Sequence, residues 1–438
     1  MKIIAAFIIF ILCIALSIIF DISMIIPLCI GFILFAALSV EKGFSVKQVL
    51  RMAADSLHDS LIVVAVLLLI GCLTGLWRLS GTVAFFVNWG VTAMPPSMFI
   101  LAAFLVCSAM SFAIGTSFGV TATAGVIMMS IARAGGIPVA PVAGAILSGV
   151  YVGDRGSPAS SAANLVAALT KTDIRHNIRK MFKTALIPFA ISCAAYALLS
   201  IRFPMAGTDS SILDSLNSEF SISWICVVPA LLMIILPFCR VKIKTAMLID
   251  IAVSAAVAVF AQKASAAQCL SAAVLGYRPE NMNLAEMLSG GGLISMAEVC
   301  GILLISGTYG RIFQETELLA PIYEKLDALK EKAGRFPAMI VLSTLVCMVF
   351  CNQTIGAIMV SQLSDRLYGS SEEERYAKMI DIEDSVIMIA GLIPWVIACS
   401  VPLAMVNAGF DSLWYAFFLW LIPICAVIRS RNVTDIFR

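Results

Sequence analysis

The chain is 438 residues long, 61% hydrophobic and only 13% charged, with a formal net charge of +2, whereas ordinary soluble domains carry about 25% charged residues. Its mean hydropathy of +1.00 leaves too little polar surface to cover a water-soluble core of this size, and the near-neutral charge offers no basic footprint for nucleic acid. Thirteen cysteines and two histidines, His58 and His176, are scattered without a CxxC or a metal-ligand spacing, which excludes a disulfide framework and a zinc site; Cys347 and Cys351 are the nearest approach to a cluster.

A helix that crosses a bilayer needs about 20 mostly apolar residues. The first such stretch covers residues 3–20. No small-x-small cleavage site closes it and a second apolar run follows from Ile22, so it reads as a retained span rather than a signal peptide. Further spans are expected near 22–40, 60–77, 97–114, 184–201, 222–238, 244–262, 292–310, 337–351, 385–406 and 412–428. The apolar stretches 82–94, 118–132, 138–152 and 159–170 are short or interrupted and fit half-helices, re-entrant hairpins or tilted spans. The expected fold class is an all-α integral membrane protein, a polytopic helical bundle of about 11 to 14 spans with inverted-topology repeats and discontinuous helices.

Charged loops set the sidedness. Lys42, Lys47 and Arg51 share one loop, Lys171, Arg175, Arg179, Lys180 and Lys183 another, and Arg240, Lys242 and Lys244 a third. The tail adds Arg429, Arg431 and Arg438, whereas the loop 202–221 carries Asp209, Asp214 and Glu219. With the basic loops in the cytoplasm, both termini lie inside a cell (plasma) membrane, and Asp21 and 202–221 lie outside. The segment Arg311–Arg335, amphipathic around Tyr323 to Lys332, reads as a cytoplasmic linker helix, and Asp365 to Asp381 as a charged surface helix.

Two segments resemble each other at an offset of 235 residues: Leu69–Gly75 against Leu304–Gly310. At similar offsets Ser111–Ser117 faces Cys347–Gln353, and Gly153-Asp154 faces Glu383-Asp384. The charge assignment runs the two copies in opposite directions, as in many secondary transporters. The implied division is a two-helix region 1–55, a first repeat 56–201, connecting helices 202–285, an inverted repeat 286–429 and a cytoplasmic tail 430–438.

Polar and helix-breaking residues inside apolar spans are costly unless they face a cavity or one another. Gly115-Thr116-Ser117 interrupts one apolar run and is followed by Asp154, Ser157-Pro158 and Asn164; Asn352-Gln353-Thr354 interrupts another and is followed by Glu383-Asp384-Ser385 and Pro394. Gly and Pro free backbone groups at membrane depth, hydroxyls, amides and freed carbonyls suit a dehydrated Na+, and a buried carboxylate can take a proton instead. The candidate ion-binding residues are therefore Asp154, Thr116, Ser117, Ser157, Asn164, Asn352, Thr354, Glu383, Asp384 and Ser385, with Asp154 foremost. The competing assignments are an Asp–Arg pair or helix cap for Asp154, an interfacial place for Glu383 or Asp384, and interhelical hydrogen bonding for the hydroxyl and amide residues.

These residues resemble the NhaC sodium/proton antiporter family. The likeness rests on Gly115-Thr116-Ser117, Gly136-Ile137-Pro138, Ala143 to Gly149, Tyr151 to Asp154, Ser157-Pro158, Asn164-Leu165 and Thr172-Asp173, then on Gly307, Glu383-Asp384 and Ile393-Pro394-Trp395. It implies a secondary transporter with inverted repeats, broken helices and a homodimeric assembly, exchanging Na+ for H+, with some members moving organic anions such as malate and lactate. Two departures matter: Ser161 and Gly356 stand where the family pattern places acidic residues. Their loss keeps a Na+- or H+-coupled carrier for a small organic acid or amino acid as the alternative. No cofactor is implied. The absence of HExxH and GxxxxGK[ST] patterns argues against an enzyme or an ATP-driven pump.

Overall fold

The computed structural model describes residues 2–20, 22–205, 210–239, 241–316, 318 and 320–436; Asp21, Asp209, Arg240 and Arg438, named above for their charge, lie outside the described residues. The described residues form helices throughout, and the one sheet-like contact among them is an isolated bridge between Tyr277 and Gly290. In a bilayer core nothing but the chain itself satisfies the backbone, and a helix does so within its own segment. Large apolar side chains such as Leu186, Leu198 and Phe260 point outward and are exposed, which suits a surface bathed in hydrocarbon rather than water.

Among the described residues, five helices are long and apolar enough to cross a membrane: Pro96–Ile114, Ser117–Ala134, Ile174–Arg202, Ile243–Ala261 and Leu293–Phe313. Val63–Leu79 and Thr82–Gly90, bent by 64° at their junction, make a sixth as a pair, and shorter apolar helices include Ile25–Glu41, Arg335–Phe350 and Phe417–Ser430. The protein is thus an all-α membrane protein.

Several expected boundaries shift for local reasons. The helix expected from residue 60 begins at Val46, because Ser45 and Gln48 form a reciprocal capping box that starts it in the basic loop. The helix expected from 184 begins at Ile174, where the Asp173 carboxylate accepts the His176 N–H at 2.9 Å. The expected span 385–406 is not continuous: helix ends at Ala390 and resumes at Ile397. The charged run expected as a surface helix is helical over Glu372–Ile382, but its last turns, with Lys378 and Asp381, are buried. Arg335 explains this burial, bonding Asp381 and Glu374 at 3.1 Å each.

The closest helix crossing joins Phe99–Ile114 to Val139–Gly156. A Cβ on Gly153 would stand 2.0 Å from the carbonyl carbon of Ser111, so only glycine allows this approach, whereas a Cβ on Gly156 would meet nothing within 4 Å. Gly153→Ala should therefore lower the melting temperature of the detergent-solubilised protein, by a cost of at least the roughly 1–3 kcal/mol typical of overpacking, while Gly156→Ala should leave it unchanged.

Candidate functional site

Helix Phe99–Ile114 stops at Gly115, which adopts the left-handed conformation at φ +77. A Cβ there would lie 2.4 Å from the carbonyl carbon of Ala159, so glycine is required for both backbone and space. Thr116 is extended, its hydroxyl accepts from the Gly119 N–H at 3.5 Å, and the helix restarts at Ser117. A π-helical turn follows at Thr121–Gly125, a departure often found at functional sites.

The chain opposite Gly115 is itself broken. Helix Val139–Gly156 ends at Gly156, and residues 157–160 lead to Ser161–Thr170. The Ser157 hydroxyl donates to the Phe112 carbonyl at 2.6 Å and accepts from the Ala159 N–H at 3.1 Å. Ser160 donates to the Asp154 carbonyl and accepts from the Ala163 N–H at 3.2 Å. Ser157 thus reaches the end of the facing helix, while Thr116 and Ser160 each satisfy backbone at their own interruption.

The same construction recurs later in the chain. Helix Arg335–Phe350 ends at Cys351, left-handed at φ +52, and Asn352 is extended. Its side-chain oxygen accepts from the N–H groups of Thr354 (2.9 Å) and Ile355 (3.2 Å) as the next helix begins at Gln353. The opposing break spans residues 391–396, tied by the Ile397 N–H to the Cys351 carbonyl at 3.0 Å and the Trp395 indole to the Met348 carbonyl at 3.1 Å. A π-helical turn at Glu383–Ile387 precedes it. Cys351 holds a conformation that non-glycine residues rarely adopt, with its strain offset by these bonds.

The two constructions meet at Asp154. Its side chain is 4% exposed and accepts from the Gln353 amide at 3.3 Å, while the same amide donates to the Ile387 carbonyl at 3.3 Å. The hydroxyl and N–H of Ser117 face the same carboxylate. Glu383 shares this environment with Asp154 and Arg155. It is fully buried, and neither of its carboxylate oxygens has a hydrogen-bond partner.

Asp384 is differently placed. Arg155 donates to its Oδ1 at 2.5 and 3.1 Å, and Arg429 to its Oδ2 at 2.8 Å. Arg155 is further engaged by the Met181 carbonyl at 3.1 Å and the Thr184 hydroxyl at 2.7 Å. The arginine beside Asp154 in sequence therefore pairs with Asp384 rather than with Asp154.

Of the candidates named from sequence, Asp154, Ser117 and Glu383 come together. Thr116, Ser157 and Asn352 cap or tie the broken backbone. Asn164 is exposed and its amide bonds the Pro158 and Ser160 carbonyls at 3.0 and 2.7 Å. Thr354 is exposed. The Ser385 hydroxyl donates to the Asp381 carbonyl at 2.5 Å and accepts from Ser343 at 2.9 Å. Glu383 and Asp384 are both buried within the protein. Of the two departures from the family pattern, Ser161 is exposed at the start of its helix, and Gly356 lies against Val386 and Cys347.

Two residues were not singled out from sequence. Gln353 stood inside the interrupting triplet, where an amide between Asn and Thr gave no reason to prefer it. Asp250, in the middle of Ile243–Ala261, is buried and accepts from the Trp77 indole at 2.9 Å; a lone acid in an apolar span was the available signal. Among the described residues no group of three His, Cys, Asp or Glu is arranged to hold a metal ion.

Comparison with known proteins supplies relatives. A family model described as the Na+/H+ antiporter family matches residues 149–429. The Na(+)/H(+) antiporter NhaC of Bacillus subtilis is 25% identical over 431 residues, 96% of this chain and 95% of the relative. The Malate-2H(+)/Na(+)-lactate antiporter of the same organism is 25% identical over 382 residues, 86% of this chain and 82% of the relative. The Arginine/ornithine antiporter ArcD of Halobacterium salinarum is 26% identical over 312 residues, 69% and 64% respectively.

Breaking a buried ion pair from one side leaves an uncompensated charge, typically at a cost of about 3–5 kcal/mol, whereas replacing both partners is often neutral. Arg155→Met, which leaves Asp384 only the half-exposed Arg429, should therefore lower the melting temperature in detergent, and the Arg155→Met, Asp384→Met double variant should recover part of the loss.

Proposed function

Because this chain belongs to the Na+/H+ antiporter family, we propose that it exchanges sodium for protons at one buried site, where both ions compete for the carboxylates of Asp154 and Glu383. The observation that carries this assignment is the local charge balance. Asp384 is neutralised by Arg155 and Arg429, which leaves Asp154 and Glu383 as buried acids with no ion pair among the described residues. A buried carboxylate without a counter-charge takes up a proton or a cation. Ser117, the Ile387 carbonyl and the Gln353 side-chain oxygen, brought round by rotation of its amide, are the neutral oxygens that complete a dehydrated Na+ shell. Oxygen ligands from broken backbone at membrane depth are how many secondary transporters hold Na+.

Two acids facing one Na+ keep one negative charge, and the same acids with two protons keep none. Exchange of one sodium for two protons therefore moves a net charge across the membrane. Alternating access then follows from two units of opposite orientation, 56–201 and 286–429, joined by helices 202–285 and flanked by residues 1–55 and the tail 430–438. The matched backbone at Gly115-Thr116 and Cys351-Asn352 supports that pairing. The shorter apolar helices complete a total of about 11 to 14 crossings, with both termini in the cytoplasm, in a plasma-membrane homodimer.

The names of the malate/lactate and arginine/ornithine relatives favour a second reading, a Na+- or H+-coupled carrier of a small organic acid or amino acid. A substrate carboxylate at this site would be held by Thr116, Ser117, Asn164, Asn352 and the half-helix N-termini, or by a buried cation. Arg155, the buried cation beside Asp154, already holds Asp384, a carbonyl and a hydroxyl, which supports cation exchange over the carrier.

Reconstitution in vesicles with a lumenal pH dye tests both. Imposed Na+ or Li+ gradients should drive proton movement with no organic solute present; dependence on added malate, lactate or amino acids would overturn the assignment in favour of the carrier. Asp154→Asn should reduce exchange to background, and full exchange by that variant would remove the site. Glu383→Gln should leave an exchange that no longer responds to membrane potential. Gln353→Ala should weaken apparent Na+ affinity about tenfold, the equivalent of one hydrogen bond to a charged group.

A further inference from the structure

Away from the ion site, the outward face of Ile174–Arg202 carries a second organised surface. A groove of about 600 Å³ opens between this helix, Phe99–Ile114 and Val139–Gly156, walled by Leu105, Phe112, Phe182, Leu186 and Phe189. Its floor reaches Gly156, whose missing side chain leaves open space, and Arg155. Phe182 also borders a recess of about 680 Å³ formed with His176, Arg179, Lys180 and Lys183. The apolar groove and the basic recess are thus continuous along one helix.

The cations fall into two groups. His176 and Lys180 lean on the Tyr376 ring, at 4.5 and 4.7 Å from its centre. Arg175, Arg179 and Lys183, spaced four residues apart on one helix face, are exposed and make no hydrogen bond or ion pair among the described residues. Neither lining contains an acidic residue. An unpaired basic stripe leading into an apolar slot open to the bilayer matches one kind of molecule, with an anionic head and an aliphatic tail.

We propose that this surface binds an anionic phospholipid, its phosphate held by Arg179 and Lys183 and one acyl chain laid along Phe182, Leu186 and Phe189. A lipid chain leaves hydrocarbon to enter the groove and gains little from burial, so selectivity rests on the headgroup, at about fivefold in occupancy for each cation engaged. The bound chain packs over the aliphatic part of Arg155 and the turn containing Met181 and Thr184. It thereby buttresses the arginine that neutralises Asp384.

The test is native mass spectrometry of the full chain in detergent with phosphatidylglycerol or phosphatidylcholine added at matched concentration. Phosphatidylglycerol should stay bound at collision energies that strip phosphatidylcholine. Arg179→Gln with Lys183→Gln should lower its occupancy roughly twentyfold while leaving phosphatidylcholine unchanged. Ala185→Phe, which fills the groove and keeps every charge, should also remove it. Equal retention of the two lipids, or phosphatidylglycerol undiminished in both variants, would overturn the proposal. So would a photocrosslinking residue at position 182 that captures a second copy of the chain in membranes, since the face would then be a subunit seam; lipid adducts there would support it.

Discussion

Within a bilayer, a backbone N–H or C=O that leaves a helix must find another partner, because no water is at hand to take its place. Among the described residues, helix breaks face one another in two pairs, Gly115-Thr116 with residues 157–160 and Cys351-Asn352 with residues 391–396. The protein answers the constraint by setting break against break. Side-chain caps from Thr116, Ser160 and Asn352 take the exposed N–H groups, and hydroxyl and indole donors from Ser157 and Trp395 take the carbonyls of the opposing helix. The polar interior that results is a by-product of this accounting, and it is where the acids sit.

Electrostatics then separates acids that look alike in sequence. Glu383 and Asp384 are neighbours, both buried, yet Asp384 has two arginines and Glu383 has no hydrogen-bond partner among the described residues. Both lie in the π-helical turn Glu383–Ile387. Neighbouring residues leave a helix about 100° apart, so Asp384 meets Arg155 and Arg429 while Glu383 shares the surroundings of Asp154. Neutralising one acid makes the remaining pair more demanding of a mobile counter-ion.

Much of this was legible in the sequence. Apolar length gave the helical membrane class, and breaker residues amid apolar runs gave the interruptions at Gly115 and Asn352, because both signals are local. Asp154 stood out for the same reason. Partnership did not: nothing near Arg155 in the chain says that its carboxylate lies 229 residues away, and the competing assignment of an Asp154–Arg155 pair rested on adjacency alone. Gln353 and Asp250 were passed over because an amide and a lone acid acquire meaning only from what faces them, here Asp154 and Trp77. The break at residues 391–396 was hidden within an apolar run that satisfied the length rule for a span, and Pro394 alone does not distinguish a kink from a full interruption.

The contact between Gly153 and the backbone of Ser111 has a mechanical consequence. Two helices whose main chains touch cannot slide or roll past each other without collision, so Phe99–Ile114 and Val139–Gly156 travel as a single strut. Asp154 rides on that strut one residue beyond the contact point, whereas Gln353 opens the helix Gln353–Leu363. The 3.3 Å bond from the Gln353 amide to the Asp154 carboxylate therefore joins that strut to the helix that begins at Gln353.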